Sequence, residues 1–170
     1  MKISNEFDTI VGFAREEAMR TGSYSIEADH LFLGILRHRS NDAVAYMQSH
    51  GVDTDDCKRV IDSYIFHEHS IPFSEEENIK LGRFGSSTVN MAIAEAMAEG
   101  AVEAGAMHLL KAICKAESCH ARAYLGSRGA IPEGNAGGKA ARKKTADNSP
   151  SAEELGKLLS TIRINTTIVS

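Results

Sequence analysis

The sequence predicts an all-α fold made of two pseudo-symmetric repeats of about four helices each, packed into one globule. Three observations lead there. Sliding the chain by 78 positions superposes residues 10–52 on 88–130 without a gap. Within each copy, apolar residues recur at intervals of three and four, the period of a helix face. Ala, Met and Leu are abundant and only 6% of residues are aromatic, which favours helices.

The duplication rests on identities spread along the whole window. They include Ala14/Ala92, Glu17/Glu95, Ala18/Ala96, Met19/Met97 and Gly22/Gly100, then His30/His108, Leu31/Leu109 and Ile35/Ile113. Ala43/Ala121, Ala45/Ala123, Tyr46/Tyr124, Ser49/Ser127 and Gly51/Gly129 continue the series. Internal repeats of this kind set the architecture before any single element is assigned.

Taken in order, the first copy opens with a helix carrying Ile10, Val11, Ala14, Ala18 and Met19 on one face, terminated by Gly22. A second helix carries Leu31, Phe32, Ile35 and Leu36. A third, Asn41 to His50, turns Val44, Tyr46 and Met47 inward and ends at Gly51. A fourth starts at Asp53 as N-cap, with Cys57, Val60, Ile61, Tyr64 and Ile65 as its apolar face. The acidic run Glu75-Glu76-Glu77 reads as the start of a solvated helix capped by Ser74.

The second copy repeats three helices and then breaks. After Pro132 a Gly/Lys-rich stretch has nothing to bury. Beyond it, Ser151-x-x-Glu154-Leu155-x-x-Leu158-Leu159-x-x-Ile162 reproduces the pattern of Asp53 to Tyr64 at an offset of 98 rather than 78. Ser151 with Glu154 also forms a capping box. Residues 151–164 are therefore expected to supply the eighth helix, docked across a flexible loop at 133–150; the competing reading is a tail with a chance amphipathic patch. The resulting division is 1–66 for the first repeat, 67–86 for a connector, 87–164 for the interrupted second repeat and 165–170 for a tail.

Bulk properties narrow the function classes. The apolar fraction is 42%, the charged fraction 25% and the formal charge −4, ordinary for a soluble protein and mildly against nucleic-acid binding as the main task. Cys57, Cys114 and Cys119 are odd in number and suggest no disulfide framework. The stretch Lys2 to Glu6 lacks the apolar core of a signal peptide, and no apolar run is long enough to span a bilayer. A cytoplasmic protein is expected. No cofactor is implied.

The phrase Ser25-Ile-Glu-Ala-Asp-His-Leu-Phe-Leu-Gly-Ile-Leu36, following Glu16-Glu-Ala18 and Gly22, resembles the signature of the Clp N-terminal (Clp repeat) domain of ClpA/ClpC-type AAA+ chaperones. Ala43 to Met47 and Gly51-Val52 resemble that family's third helix and its exit. Ala106-Met-His-Leu-Leu-Lys-Ala-Ile113 is a weaker second version. The resemblance implies two four-helix repeats in one globule that binds client proteins, adaptors or a Clp-family ATPase. It normally sits ahead of AAA+ modules, but no Gly-x-x-x-x-Gly-Lys-(Ser/Thr) loop occurs here; Gly137-Gly138-Lys139-Ala140 lacks the first Gly and the hydroxyl. The chain therefore reads as a stand-alone, non-enzymatic interaction module.

In some relatives each repeat binds phosphoarginine, with a Glu before the signature His on the guanidinium and a hydroxyl residue on the phosphate. The resemblance places Asp29, Ser4 and the adjoining His30 at such a site in the first copy. The second copy has Met107 at the acidic position, and Ala28 and Ala106 replace the signature Thr. The plain alternative makes Asp29 a cap for the helix beginning at His30. His30 and His108 read as buried rings that satisfy backbone groups. Cys114, Cys119, His120, His67 and His69 lack the tight paired spacing of a zinc site, and Cys114 aligns with core Leu36. No Gly-x-Ser-x-Gly elbow frames a hydrolytic nucleophile.

Lys139, Arg142, Lys143 and Lys144 form the one basic run. Residues 133–170 hold six basic and four acidic groups, against 13 and 19 before them. Such a loop is either a solvated linker or an electrostatic tether for an acidic partner or nucleic acid. The alternatives to an interaction module are thus a nucleic-acid-associated regulator acting through 139–144 and a small-molecule sensor using the inter-repeat cleft.

Overall fold

The computed structural model describes residues 2–67, 69–116 and 119–133. The expected eighth helix at 151–164, the loop beyond Glu133, the basic residues Lys139, Arg142, Lys143 and Lys144, and the tail 165–170 lie outside the described residues.

The described chain is all-α, with helices α1 (Asn5–Thr21), α2 (Ala28–His38), α3 (Asp42–Ser49), α4 (Thr54–Ile65), α5 (Arg83–Glu99), α6 (Ala106–Ile113) and α7 (His120–Ser127). Each copy starts with a long helix because Phe7, Ile10, Val11, Ala14 and Ala18, and later Val89, Ala92, Ile93 and Ala96, keep one face continuously apolar and fully buried. Gly22 and Gly100 end these helices in the left-handed region, at φ 84° and 79°, where a glycine carries no Cβ penalty. The first turn of α5 lies within the stretch 67–86 assigned to the connector from sequence.

The two copies are laced together by pairs of two-residue strands too short to announce themselves in the sequence. β1 (Lys2–Ile3) pairs in parallel with β4 (Glu103–Ala104), and β2 (Ser25–Ile26) with β3 (Lys80–Leu81). Shifting by 78 turns β1 into β3 and β2 into β4, so the pairing is reciprocal. The start of each copy is tied to the segment before the second helix of the other.

The core lies where α1 packs on α2 and α5 on α6, with α2 touching α3, α4, α5, α6 and α7. α2 is buried along Ala28 to Leu36, including Leu33 on the side away from the expected stripe. Gly34 lets α1 approach: a Cβ there would fall 2.5 Å from the Ile10 carbonyl oxygen and 3.0 Å from the Ala14 nitrogen.

Two sequence expectations need correcting. The acidic run forms a 3₁₀ turn, Phe73–Asn78, with Pro72 rather than Ser74 at its N-cap. Proline fixes an extended entry, and the turn is held by Arg15 on Glu76 (2.7 Å) and Tyr24 on Glu75 (2.9 Å). Tyr64, expected on the buried face of α4, is 66% exposed, one face of its ring stacked on His120 with centroids 4.5 Å apart.

Candidate interaction site

The residues singled out from sequence fall at two corners of the molecule. Ser4 is the N-cap of α1: its Oγ accepts from Phe7 N at 3.0 Å, and its own N donates to the Ala104 carbonyl at 2.9 Å. It therefore sits against the second copy's segment before α6. Asp29 and His30 belong to α2, whose N-terminal corner is paired instead with the segment before α5.

Asp29 is 6% exposed and its carboxylate is fully engaged. Oδ1 accepts from Ala121 N (2.9 Å) and the Cys119 thiol (3.3 Å), and Oδ2 from His120 N (3.1 Å). Asp29 is thus a cap, but for α7 in the other copy, because α2 already begins at Ala28 and α7 has Cys119 at its own N-cap with no side-chain acceptor. A carboxylate satisfying three donors has little capacity left for a guanidinium.

His30 is held on both sides. Its Nδ1 accepts from Glu27 N at 3.0 Å and its Nε2 lies 3.3 Å from Thr21 Oγ1. Burial drives its pKa down to about 4, against the opposing pull of Asp29 and Glu17. His108 repeats the first contact, accepting from Gly105 N at 2.9 Å, but Glu99 replaces Thr21 as the partner of its Nε2. That contact draws the Glu99 carboxyl below its ordinary range.

Glu27 was not singled out from sequence, yet its carboxylate caps the start of α5. Its Oε1 accepts from Phe84 N (3.1 Å) and Gly85 N (3.0 Å), the first turn of α5, where unpaired N–H groups and the helix dipole favour negative charge. The N-cap there is Gly82, which has no side chain to do this, and a Cβ on Gly82 would meet Glu27 Oε2 at 2.3 Å. Glu17 and Glu95, 2% and 0% exposed, were visible only as an identical pair in the duplication. Glu17 pairs with Arg20 (2.9 Å) and Arg37 (3.1 Å), and Glu95 with Lys115, the residue equivalent to Arg37.

Burial pushes the Cys57 and Cys114 thiols up to about 12, and raises Cys119 further, so all three are poor nucleophiles at neutral pH. Among the described residues no group of three or more His, Cys, Asp or Glu is placed to hold a metal ion, and no helix is long and apolar enough to cross a membrane. Both corners are built around capped helix ends.

A search of curated proteins returned no match. The model of the Clp repeat (R) N-terminal domain matches residues 2–128, from β1 through α7. With three quarters of its length accounted for in this way, the chain belongs to the Clp repeat N-terminal domain family.

Proposed function

We propose that the chain is a non-catalytic protein-interaction module, similar to the N-domain of a Clp ATPase, that binds client proteins, adaptors or a Clp ATPase in regulated protein unfolding and degradation. The family match across residues 2–128 carries this reading. The side-chain chemistry agrees with it. His30 has both ring nitrogens occupied and a depressed pKa, so it serves poorly as a general base at neutral pH. The cysteines are held as thiols, and the carboxylates of Asp29 and Glu27 are consumed by helix ends. What remains for function is surface.

The test is an affinity pull-down from native lysate with the whole chain, proteins identified by mass spectrometry, beside an attached Clp ATPase N-domain as the positive control. Recovery of a Clp ATPase or a Clp adaptor is expected. Their absence where the control recovers them would sink the reading.

A further inference from the structure

Between the C-terminal end of α2, α3 and the start of α4 lies a cleft of about 560 Å³. Arg20, Arg37, Arg39 and Lys58 line it, and Leu36 and Val44 give it an apolar floor. Three of these cations already have carboxylate partners, Lys58 through Asp62 Oδ2 at 3.6 Å. Arg20 donates through Nε and Nη2 to Glu17 (3.3 and 2.9 Å) and through Nη2 to Asp62 (2.8 Å). Arg37 donates through Nη1 to Glu17 (3.1 Å) and through Nη2 to Glu16 (2.8 Å). A guanidinium has five N–H donors, so Nη1 of Arg20 and Nε of Arg37 keep hydrogen-bonding capacity.

Arg39 is the unusual member. Its backbone stands at φ 66° and ψ −48°, the one positive φ at a non-glycine position among the described residues. Ser40 N donates to the His38 carbonyl at 2.7 Å across it, closing the strained form of the γ-turn. Glycine would adopt this conformation at lower cost. Strain kept at one position while the surrounding structure holds it is a signature of function. Among the described residues Arg39 is in no ion pair.

The second copy differs from the first in the residues at these positions. The pair Glu17–Arg37 persists there as Glu95–Lys115, whereas the counterparts of Arg20 and Arg39 are Ala98 and Glu117. The extra cations belong to the first copy alone.

We infer that this cleft binds an extended peptide segment in which a carboxylate stands beside an apolar side chain. Arg39 takes the carboxylate, with the Asp62-paired Lys58 beside it, and Leu36 and Val44 take the apolar group. The inference rests on the proposed role as a protein-interaction module and names the class of segment captured. A carboxylate is favoured over a phosphate because Glu16, Glu17, Asp55 and Asp62 already balance much of the local positive charge. The acidic body, with 19 acidic against 13 basic residues up to Pro132, also repels more highly charged anions.

The experiment measures fluorescence anisotropy of a labelled, otherwise uncharged peptide holding one Glu between Leu residues with the whole chain, alongside versions carrying Gln or phosphoserine in place of the Glu. Arg39→Gly is the informative variant, because it releases the turn and removes the guanidinium together. It is expected to raise the melting temperature while weakening the Glu peptide about tenfold, the loss of one charge-assisted contact. Lys58→Gln should weaken it in the same direction, and Lys2→Gln, outside the cleft, should leave it unchanged. Equal binding of the Glu and Gln peptides, unaltered affinity in Arg39→Gly, or tighter binding of the phosphoserine peptide would each overturn the inference. The pull-down separates the two levels. If the peptide result is negative while the chain still recovers a Clp ATPase or adaptor, the cleft falls and the module stands; if the chain recovers neither, the module reading falls as well.

Discussion

The first copy of the repeat caps its own helices and then caps two belonging to the second. Ser4 closes α1 and Asn41 closes α3, each through a side-chain acceptor on the following turn. Their counterparts 78 residues on are Gly82 and Cys119, neither of which makes a side-chain cap. At both places a carboxylate from the first copy stands in: Glu27 on α5 and Asp29 on α7. The counterparts of those two acids are Gly105 and Met107, in a copy whose partner helices need no help. Helix N-termini expose N–H groups that must find acceptors. Here the acceptors come across the interface, so what is local in one copy is long-range in the other. The two copies share a fold without being independent units.

The histidines offer the largest way to break this comparison. Both rings accept a hydrogen bond from the backbone at the entry to their helix, but His30 faces buried Thr21 and His108 faces exposed Glu99. Folded His30 takes a proton only near pH 4, while the unfolded ring takes it up near 6.5. Between those values the unfolded chain binds more protons, so stability is fully present above about pH 6.5 and falls as pH drops. The difference corresponds to about 3 kcal/mol by pH 4. Asp29 and Glu17 oppose the effect, and His67 and Arg20 add to it. Urea unfolding across this range should show the loss in the wild type and a flatter profile in His30→Gln. Glu99 acts at a more acid pH: its carboxyl is depressed, so its contribution is present above the ordinary carboxylate range and lost below it. Equal slopes in wild type and His30→Gln would show that the buried ring does not control acid stability.

Asp29 comes next. Asp29→Ala removes the acceptor for two backbone N–H groups and the Cys119 thiol at a buried site, and should cost about 2 kcal/mol in urea unfolding. Cys119→Asn copies the Asn41 cap of α3 onto α7. It should do little alone, because Asp29 already holds the position, and should restore at least half of the loss in the Asp29→Ala background. Additive effects would mean that the inter-copy cap and the local cap do not substitute for one another.

What the sequence discloses follows from how far each signal reaches. The Gly22 and Gly100 terminators and the Asp53 cap are local signals, and the structure places them where spacing puts them. Cys114, aligned with Leu36, is buried as that alignment implies. The strand pairs are only two residues long, too short for a period to register. Asp29 could be singled out by its family position, but its actual partners are some 90 residues away, and no spacing rule connects it to α7. Position 39 holds no glycine or asparagine to announce its positive φ. Local chemistry is legible; contacts between the copies are not.

The smallest effect is the sharpest test of reciprocity. Gly82 and Ser4 share an extended backbone, at φ −79° and ψ −178° against φ −74° and ψ 160°, so serine fits the conformation at position 82. What excludes it is Glu27, whose carboxylate oxygens lie 2.3 and 2.5 Å from where a Cβ would stand. Gly82→Ser should therefore displace the existing cap before its own hydroxyl can replace it. Glu27→Gly should leave the first N–H groups of α5 without their carboxylate. Each single change is expected to cost about 1 kcal/mol. The double variant rebuilds at α5 the pairing of Ser4 with Gly105 found at α1, and should recover most of the combined loss. A coupling of about 1 kcal/mol in the double-mutant cycle would show that the two corners are alternative solutions to one capping problem. Simple additivity would mean that Glu27 stabilises α5 through its charge alone, in which case raising the salt concentration should remove its contribution.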